Sequence, residues 1–201
     1  MDETISYYSQ NAEHFQQLYD SVEAESVHAS WSHILKEKEP GVALDVGAGS
    51  GRDARWLASL GWKVVAVEPA EELRNRASIA ACHNIEWSPA CLPDLVELPY
   101  GATSFDLILL SAVWMHIPPS LRCKTFTRLV ELLSRDGLII ISLRYGPDDP
   151  QRPMYEVSVD EIQRLSGATD TVTESITRTN VQDDLGRDTI TWQTIKISKH
   201  A

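Results

Sequence analysis

Apolar positions change their period several times along the chain, and each change marks an element. From Ile5 to Leu35 the spacing is helical: Tyr8, Phe15, Leu18 and Tyr19 form one partial apolar face, and Val27, Trp31, Ile34 and Leu35 another. Two helices are predicted there, parted near Asp20 to Ser26, and Pro40-Gly41 closes the region. Val42 to Val46, VALDV, holds four apolar residues around Asp45, and Lys63 to Val67 is a second near-continuous run, the pattern of parallel strands covered on both faces. Between them Arg52 to Leu60 has helical spacing that buries Ala54, Leu57 and Ala58, with Gly61 placed as a C′ cap.

Further along, Pro69 to Ala81 predicts a helix with Leu73, Ala77 and Ala80 on one face, and Ile85 to Trp87 a short strand. Phe105 to Ser111 is the fourth strand. Ser120 to Leu133 predicts a helix that faces the sheet through Leu121, Phe126, Leu129, Val130 and Leu133, and Leu138 to Leu143 a fifth strand after an Asp136-Gly137 turn. The tail reads as a loop, YGPDDPQRP, a short helix from Val159 to Leu165, and two β-like segments, Thr171 to Thr179 and Thr189 to Ser198, with a hairpin turn at Asp184 to Arg187.

The first strand breaks into glycines at 47, 49 and 51. Such residues let the backbone take positive φ and let a ligand lie against the main chain, while the free amides of the next helix favour an anionic or acceptor group. A nucleotide-like ligand is implied. The dinucleotide fingerprint G-x-G-x-x-G fails, because counting from Gly47 the third glycine position falls on Arg52. Asp45, at the edge of the pocket, would repel a pyrophosphate and would suit an ammonium or sulfonium group. Glu68 ends the second strand 21 residues after Gly47, where doubly wound folds set an acidic residue on a ribose.

LDVGAGSG followed by VVAVEP resembles the first two motifs of class I S-adenosylmethionine-dependent methyltransferases, and the resemblance runs from about Val42 to Leu143. It implies a Rossmann-like, doubly wound α/β fold of seven strands in the order 3-2-1-4-5-7-6, the last-inserted strand antiparallel. It implies one domain: a helical lid at 1–39, a cofactor-binding core at 40–143, and an acceptor side at 144–201. S-adenosylmethionine would be the cofactor and S-adenosylhomocysteine the product. Asp45, Gly47, Ala48 and Gly49 would line the methionine part, Glu68 and Pro69 the ribose, and Ser111 the end of the fourth strand. The backbone of Ala90, Cys91 and Leu92 would border adenine, although relatives often carry an acidic residue there and this chain has none. In the lid, Tyr19 would reach the cofactor and Tyr8 the substrate.

After the fourth strand comes Ala112 to Pro119, at the sheet edge where open α/β folds bind ligands. His116 is the candidate base, since imidazole titrates near neutrality; the other reading has it capping the next helix or packing in the loop. Trp114 either walls the acceptor pocket or fills the core. Arg144, Tyr145, Arg152, Met154 and Tyr155 gather cations and aromatics after the fifth strand. They would receive an acceptor carrying a carboxylate or phosphate, or else the arginines pair locally with Asp148, Asp149 or Glu156.

With 201 residues a single domain is expected, and 18 basic against 29 acidic residues, net −11, oppose a protein that lives on nucleic acid or anionic membrane. Cys82, Cys91 and Cys123 lack metal-like spacing and predict reduced thiols without a disulfide. The N-terminus has no signal-peptide pattern and no stretch approaches a membrane span, so a cytoplasmic protein is expected. The six histidines show no ligand spacing, so no metal site is expected. A G-x-S-x-G elbow is lacking, and so are the Asp- or Asn-Pro-Pro-Tyr signatures of amino-methylating nucleic-acid enzymes. Methyl transfer to a small molecule, on oxygen, nitrogen or another soft nucleophile, is the expected function. Tellurite- or thiol-type detoxifying methylation and a non-catalytic S-adenosylmethionine-binding sensor or partner module stand as alternatives.

Overall fold

Eight strands form one sheet in the computed structural model, which describes residues 1–80, 82–96, 98–177 and 181–200. They are β1 (Val42–Val46), β2 (Lys63–Val67), β3 (Ile85–Ser88), β4 (Phe105–Leu110), β5 (Leu133–Tyr145), β6 (Thr171–Ser175), β7 (Val181–Gln182) and β8 (Thr191–Lys199). The order is β3-β2-β1-β4-β5-β8-β6, with the two-residue β7 paired to one end of β8. The first five strands run parallel and β8 is antiparallel to both β5 and β6. The expected seven-strand order is therefore present, with β8 as the inserted strand and β7 as a small addition.

Both faces of the sheet are covered, as the unbroken apolar runs require. Leu44, Val46, Val65, Val67, Ile108 and Leu110 point into one core with Phe126 and Leu129 of α7 (Pro119–Leu132) and Ile162 of α8 (Val159–Gly167). Their neighbours Ala43, Val64, Ala66, Leu107 and Leu109 point into the other, against Ala54, Leu57 and Ala58 of α5 (Arg52–Ser59) and against Trp31 and Leu35.

The N-terminal region departs from the two helices expected. It has four helical segments, α1 (Asp2–Gln10), α2 (Ala12–Asp20), α3 (Ala24–Val27) and α4 (Ser32–Lys36). The gap near Asp20 to Ser26 is where predicted, but each half is broken again. At Asn11, with φ −112° and ψ 25°, the side chain and backbone N–H both donate to the Tyr7 carbonyl, which ends α1 and lets α2 start at a new angle. That turn brings Tyr8 and Phe15 together, ring centroids 4.6 Å apart, and Ala12 and Phe15 pack with Leu73 of α6 (Glu71–Ser78).

Two more boundaries differ. α6 is shorter than the predicted helix: Ala80 is exposed, and Ala81 lies outside the described residues. Asp136-Gly137 does not separate two elements but sits in a bulge within β5, where Phe105 pairs with Leu133 and Leu107 already pairs with Leu138. Asp106 holds this junction: its carboxylate accepts from Ser134 Oγ at 2.8 Å and from the Val42 amide at 3.0 Å. In the tail the predicted hairpin turn lies between β7 and β8, while Thr179 of the predicted strand falls outside the described residues. Among the described residues no helix is long and apolar enough to cross a membrane.

Candidate active site

After β1 the chain takes left-handed conformations at Gly47 (φ 70°), Gly49 (φ 57°) and Gly51 (φ 79°), which only glycine adopts without strain. The amides of Gly47 and Ala48 donate to the Val67 carbonyl at 2.8 and 2.9 Å, folding the turn back over the end of β2. Glu68 completes the tie, accepting from the Gly49 amide at 2.9 Å and from the Ala70 amide at 2.8 Å. Burial raises its carboxyl, and the Ala70 and Gly49 amides oppose that rise. A Cβ on Gly47 would lie 2.7 Å from Val113 Cγ2, and the Cβ position of Gly49 is 3.5 Å from the Tyr19 ring. The turn is thus a bare patch of backbone with Tyr19 of α2 laid across it.

Beside it lies a cavity of ≈ 240 Å³. It follows the carboxyl edge of the sheet across the gap between β1 and β4, where the strand order reverses and open α/β sheets bind their ligands. One end is formed by Gly47, Ala48, Gly49, Glu68, Pro69, Ala90, Cys91 and Leu92. Tyr8, Tyr19, Ser111, Val113 and His116 line the middle, and Ser142, Arg144, Arg152, Arg187 and Trp192 the far end.

Asp45 departs from expectation. It is buried, lies outside the cavity lining, and its Oδ2 has no hydrogen-bond partner. The reason is that β1 turns it beneath the glycine loop, towards Asp53 of α5. Burial, and then the Asp53 charge, push its carboxyl well above the ordinary range. Asp53 goes the other way: against burial, His28 and Arg52 hold it below that range, with His28 Nε2 at 3.1 Å and Arg52 Nε at 2.7 Å. Trp31 Nε1 donates to His28 Nδ1 at 3.2 Å, so the ring proton sits on Nε2, facing Asp53. No sequence signal marked His28, which is one residue past an apolar stripe.

His116 lies in a one-turn 3₁₀ segment after β4. Its Nδ1 is 3.0 Å from the Pro153 carbonyl. Because a carbonyl only accepts, Nδ1 carries the proton and Nε2 keeps a lone pair, 3.3 Å from the Tyr8 hydroxyl. Burial lowers the ring to about 4, helped by Arg152 and Arg144 and opposed by the Pro153 bond. The imidazole is therefore neutral near pH 7. Tyr8 is held by Arg152, whose guanidinium donates to its hydroxyl and lies 5.3 Å over its ring, and by Tyr19 at 3.4 Å. Burial, then Tyr19, raise the Tyr8 phenol well above its usual value, so it stays protonated.

The arginines separate. Arg152 pairs with Asp149 at 3.0 Å, as local pairing predicts. Arg144, buried at the end of β5, donates through Nη2 to the Pro147 carbonyl at 3.0 Å and pairs with no carboxylate among the described residues. Arg187, not singled out in the sequence, lies at the same end and forks onto Asp183 at 2.9 and 2.6 Å. Three predicted acceptor-side residues are placed elsewhere. Trp114 is fully buried, packs edge-on against Phe126 and donates to Glu161 at 3.3 Å, because its 3₁₀ turn aims it under α7. Tyr145 alternates to the face of β5 opposite Arg144, packs against the core beside Leu143 and donates to Gln193 at 2.7 Å. Tyr155 contributes its backbone N–H to the Met115 carbonyl at 2.8 Å, and neither tyrosine lines the cavity.

Among known proteins, the family described as "Methyltransferase domain" matches residues 44–141. A protein-L-isoaspartate O-methyltransferase from Bradyrhizobium sp. (strain BTAi1) is 34% identical over 136 residues, covering 66% of this chain and 57% of that protein. An uncharacterized methyltransferase from Alkaliphilus oremlandii is 27% identical over 108 residues, covering 54% of this chain and 48% of its own length. The chain spans about half the length of the curated relatives it matches. Among solved structures, Burkholderia thailandensis 1,6-didemethyltoxoflavin-N1-methyltransferase, with bound 1,6-didemethyltoxoflavin and S-adenosylhomocysteine, superposes with a TM-score of 0.73 over 100% of this chain and 88% of that one. At 22% identity that likeness is one of fold.

Proposed function

We propose that this chain, whose residues 44–141 match the methyltransferase-domain family, is a class I S-adenosylmethionine-dependent methyltransferase that methylates a small-molecule acceptor in the cavity beside its glycine turn. The observation that carries this reading is the turn itself: backbone bare at Gly47 and Gly49, a carboxylate at Glu68, and an adjoining cavity that continues past His116. These residues fit S-adenosylmethionine. Gly47, Ala48 and Gly49 would hold its methionine part under the Tyr19 ring, Glu68 its ribose hydroxyls, and Pro69, Ala90, Cys91 and Leu92 its adenine.

When bound, S-adenosylmethionine supplies an electrophilic methyl group. The protein's own task is to orient the acceptor and keep water out. His116 Nε2 takes the proton of an acceptor that arrives as O–H or N–H, once Tyr8 gives way. A small acceptor is favoured because the lid is closed across the site: Tyr7 bonds Gln151, and Tyr8 bonds Arg152.

Calorimetric titration with S-adenosylmethionine and S-adenosylhomocysteine tests the cofactor assignment. Glu68→Ala and Tyr19→Ala are expected to weaken both ligands, Glu68→Ala by about tenfold or more, in line with loss of hydrogen bonds to a charged group. Unchanged affinity in Glu68→Ala would remove the ribose role. Turnover to S-adenosylhomocysteine with an acceptor panel then separates an enzyme from a sensor.

A further inference from the structure

Resting on the methyltransferase reading above, we propose that the acceptor carries an anionic oxygen group, a carboxylate or a phosphate, and that Arg144 receives it. Arg144 is only 9% exposed, yet it lines the cavity and its Nε–H has no hydrogen-bond partner among the described residues. Buried N–H groups are almost always paired, and one on a charged side chain is among the least tolerated exceptions. With Nη2 bonded to the Pro147 carbonyl, the enclosed Nε–H is a guanidinium donor left unused among the described residues, and a small shift of the side chain would offer it to an acceptor in the cavity.

The neighbouring charges sharpen this. Arg152 is matched by Asp149 and Arg187 by Asp183. Asp183 is itself fully engaged, since Trp192 Nε1 also donates to it at 2.9 Å. Arg144 thus feels two more guanidiniums but has no carboxylate of its own among the described residues. Burial, then Arg187 and Arg152, disfavour its charge, Asp148 and Asp183 oppose them in part, and an arriving anion would offset the two neighbouring guanidiniums. Seated there, the anion would hold the rest of the acceptor towards His116, whose ring already feels Arg144. Arg144 is a specificity-determining residue in this reading.

The test is calorimetric titration of S-adenosylhomocysteine-saturated protein with benzoate, phenyl phosphate and benzamide, which share an apolar ring and differ in charge. At least one anion is expected to bind tenfold or more tighter than benzamide. The better of the two identifies the group as carboxylate or phosphate. In Arg144→Met both anions should fall to the affinity of benzamide while S-adenosylhomocysteine affinity stays within twofold; Arg144→Lys should keep part of the preference. An absent anion preference in the wild type, or one that survives in Arg144→Met, overturns the proposal. If Arg144→Met fails to fold, judged by its melting curve, the wild-type ratio and Arg144→Lys decide. Failure of the wild type to bind S-adenosylhomocysteine would overturn the methyltransferase reading instead, and the anion titrations on the free protein would still decide for Arg144.

Discussion

Because burial holds the His116 ring at about 4, against the Pro153 carbonyl bond that works to raise it, the folded protein binds fewer protons there than the unfolded chain does. An unfolded histidine titrates near ~6.5, so acid favours unfolding as pH falls from about 6.5 to about 4, by about 3 kcal/mol over that window. Urea unfolding of wild type and His116→Gln at pH 7 and pH 4.5 checks this: the variant should lose less stability than the wild type on acidification. The glycine turn and its tie to Glu68 were legible in the sequence because both depend on local spacing. The Tyr8–His116 contact was not, since the two are 108 positions apart and meet only after α1 folds over the sheet edge. Arg144 was legible as a residue but not as the unmatched one. That distinction needed to show which of Asp148, Asp149 and Asp183 each guanidinium reaches.

At the scale of elements, α1 is held over the cavity by few groups. Tyr8→Phe removes its hydroxyl from Arg152, His116 and Tyr19 together, which is expected to raise amide exchange of residues 2–10 by about five- to tenfold, the equivalent of about 1 kcal/mol. Unchanged exchange would show that ring packing against Phe15 alone holds the helix. The strands were legible because covered parallel strands are continuously apolar, whereas the N-terminal breaks at Asn11 and His28 leave the apolar stripe intact and so left no trace in its period. The β5 bulge was hidden for another reason: Asp136-Gly137 has turn composition, and only the clamp from Asp106 shows that the strand starts earlier. Asp106→Ala should lower unfolding stability by about 1–2 kcal/mol, as expected for removing the shared acceptor of the half-buried Val42 amide and Ser134 hydroxyl, measurable by chemical denaturation.

For the whole molecule, cavity, lid and sheet edge should respond to ligand as one unit. S-adenosylhomocysteine at about a hundred times its dissociation constant should add about 2.7 kcal/mol, a rise of about 5–10 °C in melting temperature for a chain of this size. A melting curve that ignores saturating ligand would count against the cavity as its site. The sheet order was legible only through the resemblance, because nothing in the apolar pattern of residues 191–199 tells that this segment lies inside the sheet rather than at its rim. That insertion has a consequence during synthesis. β6 leaves the ribosome before β8 but has no place to dock until β8 lies down between it and β5. Until residue 199 has emerged, the nascent chain carries a long open edge along β5, so β6 waits on β8 to join the sheet, and a product stopped short of β8 would be an invitation to chaperones and proteases.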